Sequence, residues 1–579
     1  MVKYWNLRAS SSLAPKLARE TGLSHLEAQL LINRGVSDTR DAQAFLSPRL
    51  ADLLDPLLLK DMDAALAMIL RTLENGEEIT VYGDFDTDGL TSTALLLNVF
   101  STLDIPASFY IPDRFSEGHG LNLNAVRGIA RERGGLMITV DCGTSDDREI
   151  ALAIEMGLKV IVTDHHQVPE TFNPLCPVIN PHRPDSRFPF KNLAGVGVAF
   201  FLAVALRTAL RDQRWFRDRP EPDLRPFLDL VALGTVADVV PLVGQNRILV
   251  SRGIEMMKIS QWPGIQAIRE ITDVNPAMIT AYDVAFKFAP RLNAPGRLGD
   301  AALGVKALTT HDLPLALDLA KQLDALNIKR QAIEQDILHE IEDTLLTRQN
   351  LTNRRALVFA GRGWHRGVLG IVASRLMDRY HRPVLILGID DGMAVGSGRS
   401  IEGFNLYEAL AKLEHHLEKF GGHYRAAGFT LRASNIQRLA EEMEGLAQQT
   451  LTEEHLIPSV DVDAEASLSE LDERTIHRIG SLAPFGPGNP NPLFYGRAFE
   501  VLDSKIVGGK HLKLLLRQGS ATREAIGFGM GERHPLDTNT IDLVYTPEIN
   551  HWQGHKRVQL KIADLEEAGK GSRIRPHGA

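Results

Sequence analysis

Apolar and polar positions along this chain change period several times, and each change predicts an element. Ile79 to Tyr82, Leu136 to Val140 and Lys159 to Thr163 are short β-branched runs that each stop at Gly or Asp. Such runs read as strands buried on both faces of a parallel sheet. Further strands are expected at Ser108 to Ile111 and near Val178, with a helix from Thr91 to Leu103. From about Asp61 to Ile254, strand–helix alternation therefore predicts a parallel sheet with helices on both faces. Leu228 to Val240 reads as an apolar helix with acids only at its two ends, Asp229 and Asp238.

Leu313 to about Thr347 keeps a helical pattern rich in Leu, Ala, Gln, Lys and Glu. At 1.5 Å per residue that is about 50 Å, a rigid spacer between two lobes. Two helices broken near Asn327 are the alternative. A second alternating unit follows from Arg355 to about Leu451, with strands at Ala356 to Ala360, Pro383 to Leu387 and Met393 to Ser397. Glycine-rich turns are expected at Gly396 to Ser400 and Gly421 to Gly428. The Pro- and Gly-rich run Ala483 to Pro492 marks a linker or domain entry. Five strand-like runs come next: Ala498 to Val507, His511 to Leu516, Thr522 to Phe528, Thr540 to Pro547 and Val558 to Leu565. Five strands in so short a span suit a small barrel of the oligonucleotide-binding type.

The expected fold class is α/β, two-lobed, with a parallel-sheet domain and a smaller α/β domain joined by a long helix, plus a C-terminal OB-type β-barrel. The expected boundaries are 1–60 (short helices and loops), 61–312, 313–347 (the long helix), 348–455, 456–566 (the barrel) and 567–579, a basic tail read as disordered. A chain of 579 residues is too long for one core, which agrees with several domains. No N-terminal signal core or membrane-spanning apolar window is present. The two cysteines, Cys142 and Cys176, have no CxxC spacing, which fits a reducing cytoplasm. A net charge of −9 decides nothing about nucleic acid, because a metal site is itself acidic.

The chemistry gathers where the apolar runs stop: Asp84-Phe85-Asp86-Thr87-Asp88, Asp141-Cys142-Gly143 and Asp164-His165-His166. Ligands of open parallel sheets bind beyond the carboxyl ends of the strands, so these groups share one rim. Oxygen and nitrogen donors without thiolate suit manganese, magnesium or zinc. Five or more such donors can hold two ions about 4 Å apart, the usual device for phosphoester hydrolysis. The calcium-loop reading of the triple Asp fails because no closing Glu follows. Asp238 is expensive to bury unless something pairs with it, which a metal ion would. In the second lobe, glycine turns beside Arg399 and His423 favour a phosphate-reading face. On the barrel, Lys505, Lys510, His511 and Lys513, with His551, Trp552, His555, Lys556 and Arg557, offer charge and a stacking ring. A merely solvated barrel surface is the alternative there.

The triple-Asp loop, Val140-Asp141-Cys142-Gly143, Asp164-His165-His166 and Gly234-Thr235-Val236-Ala237-Asp238 together resemble the four motifs of the DHH phosphoesterase superfamily. Gly363-Trp364-His365, Gly396-Ser397-Gly398-Arg399 and Gly421-Gly422-His423 look like its associated substrate-binding domain. With the long helix and barrel, the chain from about 60 to 565 resembles the RecJ family of bacterial single-strand-specific 5′→3′ DNA exonucleases. That resemblance implies two divalent ions, Mn2+ or Mg2+, held by Asp86, Asp88, Asp141, His165 and Asp238. Asp84 adds a ligand or orients the loop, Asp141 bridges both ions, Asp164 orients the imidazoles and His166 contacts the scissile phosphate. Position 142 is usually Asn in the family, and here it is Cys. Arg114, Ser397 and Arg399 would form a pocket for the 5′-terminal phosphate. Arg291, Asn293, Arg297 and His423, with His365, would grip the strand's backbone between the lobes. The implied activity is two-metal hydrolysis of single-stranded DNA to 5′-mononucleotides in recombination and repair, by a monomer fed by a single-strand-binding protein and a helicase. A phosphodiesterase of short oligonucleotides or cyclic dinucleotides would need only the two lobes. An inactive DNA-binding scaffold would have lost ligands that this chain retains.

Overall fold

The structure, a computed structural model, describes residues 3–347, 353–552, 555–569 and 573–577. The chain divides into two compact units. The first comprises 12–327 with 477–491, and the second comprises the residues up to 11, 328–476 and those from 492 on.

In the first unit, five parallel strands run in the order Ala107–Tyr110, Ile79–Gly83, Leu136–Val140, Lys159–Thr163, Val178–Ile179. Every residue of Ile79–Gly83 and Leu136–Val140 is buried, as their unbroken apolar pattern requires. In chain order the sheet runs 2-1-3-4-5, so the connection reverses between Ile79–Gly83 and Leu136–Val140, where a doubly wound sheet opens its crevice. Helices Thr87–Thr102, Gly195–Asp212 and Leu228–Ala237 pack their Leu, Val and Phe side chains into the same core as the sheet. Each such side chain contributes roughly 1.5–3 kcal/mol of burial.

The Pro-Gly run after Leu482 is not a free linker. Asn489 is fully buried and donates to the carbonyls of Leu482 and Pro484, both at 2.8 Å. Arg247 donates to the carbonyls of Leu482 and Ala483, and the Leu242 N–H to that of Pro487. A loop without a regular ladder has been given side-chain and backbone partners of the first unit instead.

The long helix is uninterrupted from Leu313 to Thr347, 35 residues, with Asn327 buried rather than at a break. In the second unit Glu334 of this helix is fully buried between Arg330 (2.9 Å) and Arg375, and Glu340 accepts from Trp364 Nε1 (2.8 Å). The second unit's α/β sheet has the order Leu417–Gly422, Ala426–Arg432, Met393–Arg399, Val384–Asp390, Leu357–Arg362. Here the expectation of glycine-rich turns is corrected: Gly396 to Arg399 lies inside a strand, and Gly421-Gly422 and Ala426 to Gly428 are paired strand residues around a tip at His423 to Arg425. The glycines serve packing. A Cβ on Gly396 would lie 2.3 Å from the Phe429 ring, and one on Gly398 2.8 Å from Leu406.

The barrel strands are Phe494–Val507, His511–Gln518, Ala521–Gly527, Thr540–Trp552 and His555–Glu567, closed by pairing of the first with the fourth. A small parallel sheet accompanies them, Ser459–Val462, Tyr4–Leu7, Ile574–Pro576. This corrects two expectations. The N-terminal segment contains a strand, and Ile574–Pro576 of the basic tail is paired rather than disordered, with Arg575 stacked over the Tyr4 ring and Arg573 in ion pairs with Asp564 and Glu566. Among the described residues no helix is long and apolar enough to cross a membrane.

Candidate metal centre

Strand register brings the predicted acids abreast. Gly83 pairs with Val140 and Val140 with Thr163, so Asp84, Asp141 and Asp164 each take the next position along three adjacent strands. Asp141 has a positive φ of 61°, a conformation Asp tolerates better than most residues, and its N–H still donates to the Thr163 carbonyl. The chain turns there, with the carboxylate at the crevice.

The triple-Asp loop is built by capping. Asp86 is the N-cap of Thr87–Thr102 and accepts the N–H groups of Asp88 (2.9 Å) and Gly89 (3.2 Å). A Cβ on Gly89 would lie 2.4 Å from the Asp84 carbonyl oxygen, so the turn closes only with glycine there. Asp88 accepts from the N–H groups of Gly195 (2.6 Å) and Val196 (2.9 Å), the first two residues of the helix Gly195–Asp212. A helix N-terminus stabilises that carboxylate. Asp238 arrives as the C-cap residue of Leu228–Ala237.

His165 Nε2 lies 3.1 Å from Asp141 Oδ1, 3.6 Å from Asp238 Oδ2 and 3.7 Å from Asp88 Oδ2. Asp141 Oδ1, His165 Nε2 and Asp238 Oδ2 are all buried and make no hydrogen bond. Burial and mutual repulsion push the cluster's carboxyls up: Asp86 to about 6, Asp238 to about 9, and Asp141 well above its ordinary value. Buried acids so crowded are costly alone and favourable around cations. Two donor groups form, Asp88 with His165 and Asp238, and Asp84 with Asp86 and Asp141. Asp141 also groups with His165 and His166, so it sits between the two sets. The donor chemistry fits a pair of divalent ions.

The adjacent imidazoles are tuned apart. Burial lowers His165, leaving it neutral as a ligand must be. His166 Nδ1 lies 2.8 Å from Asp164 Oδ1, a hydrogen bond that pushes His166 up to about 9. Burial alone would raise Asp164, but its bonds to His166 and the Thr144 N–H hold it well below the usual range. His166, with 59% of its side chain exposed, is therefore a cation facing solvent beside the cluster.

Several of these partners escaped sequence reading. Fully buried Asn180 donates to Thr144 Oγ1 and the His166 carbonyl, both at 2.9 Å. It directly follows the strand Val178–Ile179, so the rule that found the other acids applies to it as well. The His119 ring packs at a tilt against Phe85 (centroids 4.5 Å apart) and lies 3.6 Å from Asp84, a contact no local pattern signals.

Arg114 lies over the Phe85 ring at 5.1 Å, close enough to Asp84 and Asp86 to feel their charge. Asn293 Oδ1 accepts the Thr87 N–H (2.9 Å), so this residue holds the metal loop in place. Arg291 is tied to Asp324 (2.9 Å) and the Lys287 carbonyl, and Arg297 is half-buried on Pro295–Leu298. In the second unit, Arg399 Nη1 donates to Ser397 Oγ (3.3 Å), and a Cβ on Gly370 would lie 3.0 Å from Arg399 Nη2 and 3.1 Å from Ser397 Oγ. Both side chains thus sit at the first turn of Leu369–Tyr380, an arrangement suited to a phosphate. His365 Nδ1 accepts the Gly367 N–H, and His423 is exposed at its hairpin tip. Lys513 is ion-paired with Glu524 (3.1 Å), and Trp552 lies in a barrel strand with its side chain outside the described residues.

Three family models match in order: the DHH family N-terminal domain over 78–235, the DHHA1 domain over 353–449 and the RecJ OB domain over 462–564. The single-stranded-DNA-specific exonuclease RecJ of Salmonella typhimurium is 38% identical over 558 residues, 94% of this chain and 96% of that protein. Its namesake from Bacillus subtilis is 37% identical over 568 residues, 97% of this chain and 70% of that protein. The crystal structure of RecJ with Mn2+ from Thermus thermophilus superposes with a TM-score of 0.83 at 29% identity, covering 97% of this chain and 79% of that one. A Mg2+ complex of the same protein superposes with a TM-score of 0.77. The chain belongs to the RecJ family.

Proposed function

We propose that this protein is a single-stranded-DNA-specific exonuclease that hydrolyses phosphodiester bonds with two divalent ions, Mn2+ or Mg2+, working from the 5′ end and releasing 5′-mononucleotides. The observation that carries the reading is the convergence of buried, unpartnered Asp141 Oδ1, His165 Nε2 and Asp238 Oδ2 at one rim of the sheet. Asp88, His165 and Asp238 would hold one ion, Asp84 and Asp86 the other, with Asp141 bridging. Such ions polarise the phosphodiester and make hydroxide available at neutral pH.

The chain's own groups supply the rest. His166, kept charged by Asp164, contacts a phosphate oxygen and offsets the charge that develops there. Thr144, itself held by Asn180, keeps Asp164 in place so that the His166 imidazole does not rotate. Ser397 and Arg399 take the 5′-terminal phosphate together with the start of Leu369–Tyr380, and Arg114, beside Asp84 and Asp86, contacts phosphate at the acidic rim of its own unit. Arg291, Asn293, Arg297, His365 and His423 contact backbone, and contacts of that kind carry no base preference.

An enzyme confined to single strands depends on others to produce them, so a helicase and a single-strand-binding protein are its proposed partners. The proposed location is the cytoplasm, supported by two free cysteines, one buried and one half-buried. All proposed metal ligands fall within one compact unit, 12–327, so the site needs no second copy, and a monomer is the proposed state.

The test is an oligonucleotide labelled separately at each end, offered single-stranded and as duplex with Mn2+, Mg2+ or chelator. Immediate metal-dependent mononucleotide release from the 5′ label of the single strand alone is expected. Release first from the 3′ label would reverse the polarity, and equal attack on duplex would remove the strand specificity.

A further inference from the structure

From Ala281 to Leu298 the chain forms a nearly continuous helical rod: Ala281–Asp283, a π-helical stretch Val284–Phe288, then Ala289–Asn293 and Pro295–Leu298. Its inner side is apolar and buried through Val284, Phe288 and Leu292. The outer side carries Tyr282 and Phe286, 62% and 65% exposed, their rings packed together with centroids 4.6 Å apart and planes 35° apart. Exposed apolar residues scattered singly are ordinary, but two large rings held against each other in water are not. π-Helical turns widen the helix, persist against their own cost and recur at functional sites.

The rod is fastened to the metal loop. Thr87, between Asp86 and Asp88, donates its N–H to Asn293 Oδ1 (2.9 Å) and its hydroxyl to the Ala289 carbonyl (3.2 Å). Phe286 precedes Asn293 by seven residues, about 10 Å along a helix. That spans no more than about three nucleotides, since about 3.4 Å is the rise of a strand in a stacked duplex and an unpaired strand is longer per nucleotide. Lys287 and Arg291 lie on the same rod and are paired with Asp283 (2.8 Å) and Asp324 (2.9 Å), so the exposed rings are a feature apart from the rod's charged groups.

We propose that Tyr282 and Phe286 form a stacking platform for one base of the substrate strand, a few nucleotides from the scissile phosphate. This rests on the exonuclease reading above and adds a residue-level binding site to it. Every base has a π-face, so stacking adds affinity without sequence preference, as an enzyme that digests any sequence requires.

The experiment measures binding of the full chain, under chelator, to a 5′-phosphorylated oligonucleotide of about twelve nucleotides in which one abasic site is moved along the strand. The wild type should lose about tenfold in affinity when the abasic site reaches one position near the 5′ end. Phe286→Ala should lose about tenfold on the intact strand, nothing further at that one position, and recover in Phe286→Trp. Phe286 is exposed, so an unchanged melting temperature is expected alongside. Wild-type affinity in the Tyr282→Ala/Phe286→Ala double variant, or losses that add equally at every abasic position, would overturn the platform. The same preparations are assayed for metal-dependent cleavage of single strands. No cleavage by the wild type would sink the exonuclease reading itself, whereas normal cleavage with unaltered variant affinity removes only the platform.

Discussion

Asp141 meets both donor groups and lies 3.1 Å from the His165 ring nitrogen, so its loss should remove the chemistry without removing the strand. Asp141→Ala is expected to abolish cleavage while single-strand binding stays measurable. Turnover at the wild-type rate would discard the bridging role. Gly195 tests the same carboxylate from its neighbour, since a Cβ there would lie 2.7 Å from Asp141 Oδ1. Gly195→Ala should lower kcat about a hundredfold with KM little changed, because small displacements of reacting groups cost that much. An unaltered kcat would show that the carboxylate has room to move. Metal binding should also register as stability: at a hundred times Kd an ion adds about 2.7 kcal/mol to the folded state. Mn2+ should therefore raise the wild-type melting temperature and have a smaller effect on Asp238→Asn. Equal shifts in the two proteins would place the ion elsewhere.

At the scale of the element, the helix Leu228–Ala237 carries two acids with different purposes. Asp238 at its end belongs to the metal cluster, whereas Asp229 in its first turn is fully buried and held by Ser260 Oγ (2.6 Å) and the Leu230 N–H (2.7 Å). Burial pushes Asp229 up to about 7 from an ordinary 3.8. A folded-state value above the unfolded one means that its stabilising contribution is complete below 3.8 and is lost as pH rises through about 7. The loss is on the order of a few kcal/mol. Asp229→Asn should flatten the fall in melting temperature between about pH 4 and pH 7, and a slope identical to wild type would assign that fall to other groups. The same scale shows why two strands of the second unit went unread. Leu417–Gly422 and Ala426–Arg432 carry glycines that break the alternation. A Cβ on Gly422 would meet the Ala426 carbonyl at 2.4 Å across the hairpin, whereas the glycine that admits the Phe429 ring is Gly396 of the neighbouring strand.

For the whole molecule, the barrel is the part whose role in binding is separable from the chemistry. Truncation after Leu482 would also remove Asn489 and the carbonyls of Pro484 and Pro487 from the first unit, so a cut after Asn491 is the cleaner design. That variant should lose affinity for single strands and show a shallower dependence of log K on log salt, in proportion to the phosphate contacts removed. Cleavage of strands already bound should be little affected. An unchanged salt slope would mean that the barrel does not grip DNA, consistent with Lys513 being paired to Glu524.

What the amino-acid sequence determined by itself was the sheet, the long helix, the barrel and the acids of the metal rim. These follow from local period and from the rule that ligands gather where parallel strands end. Asp84, Asp141 and Asp164 were legible for that reason, each ending an apolar run. Tertiary structure alone decided the neighbours that make them a site. The Gly195 and Val196 amides reach Asp88 across 107 and 108 positions, Asn293 reaches Thr87 across 206, and Tyr4–Leu7 pairs with Ser459–Val462 and Ile574–Pro576. Such contacts leave no periodic trace, because they depend on which faces meet once the chain has folded, not on the order of residues within any one element.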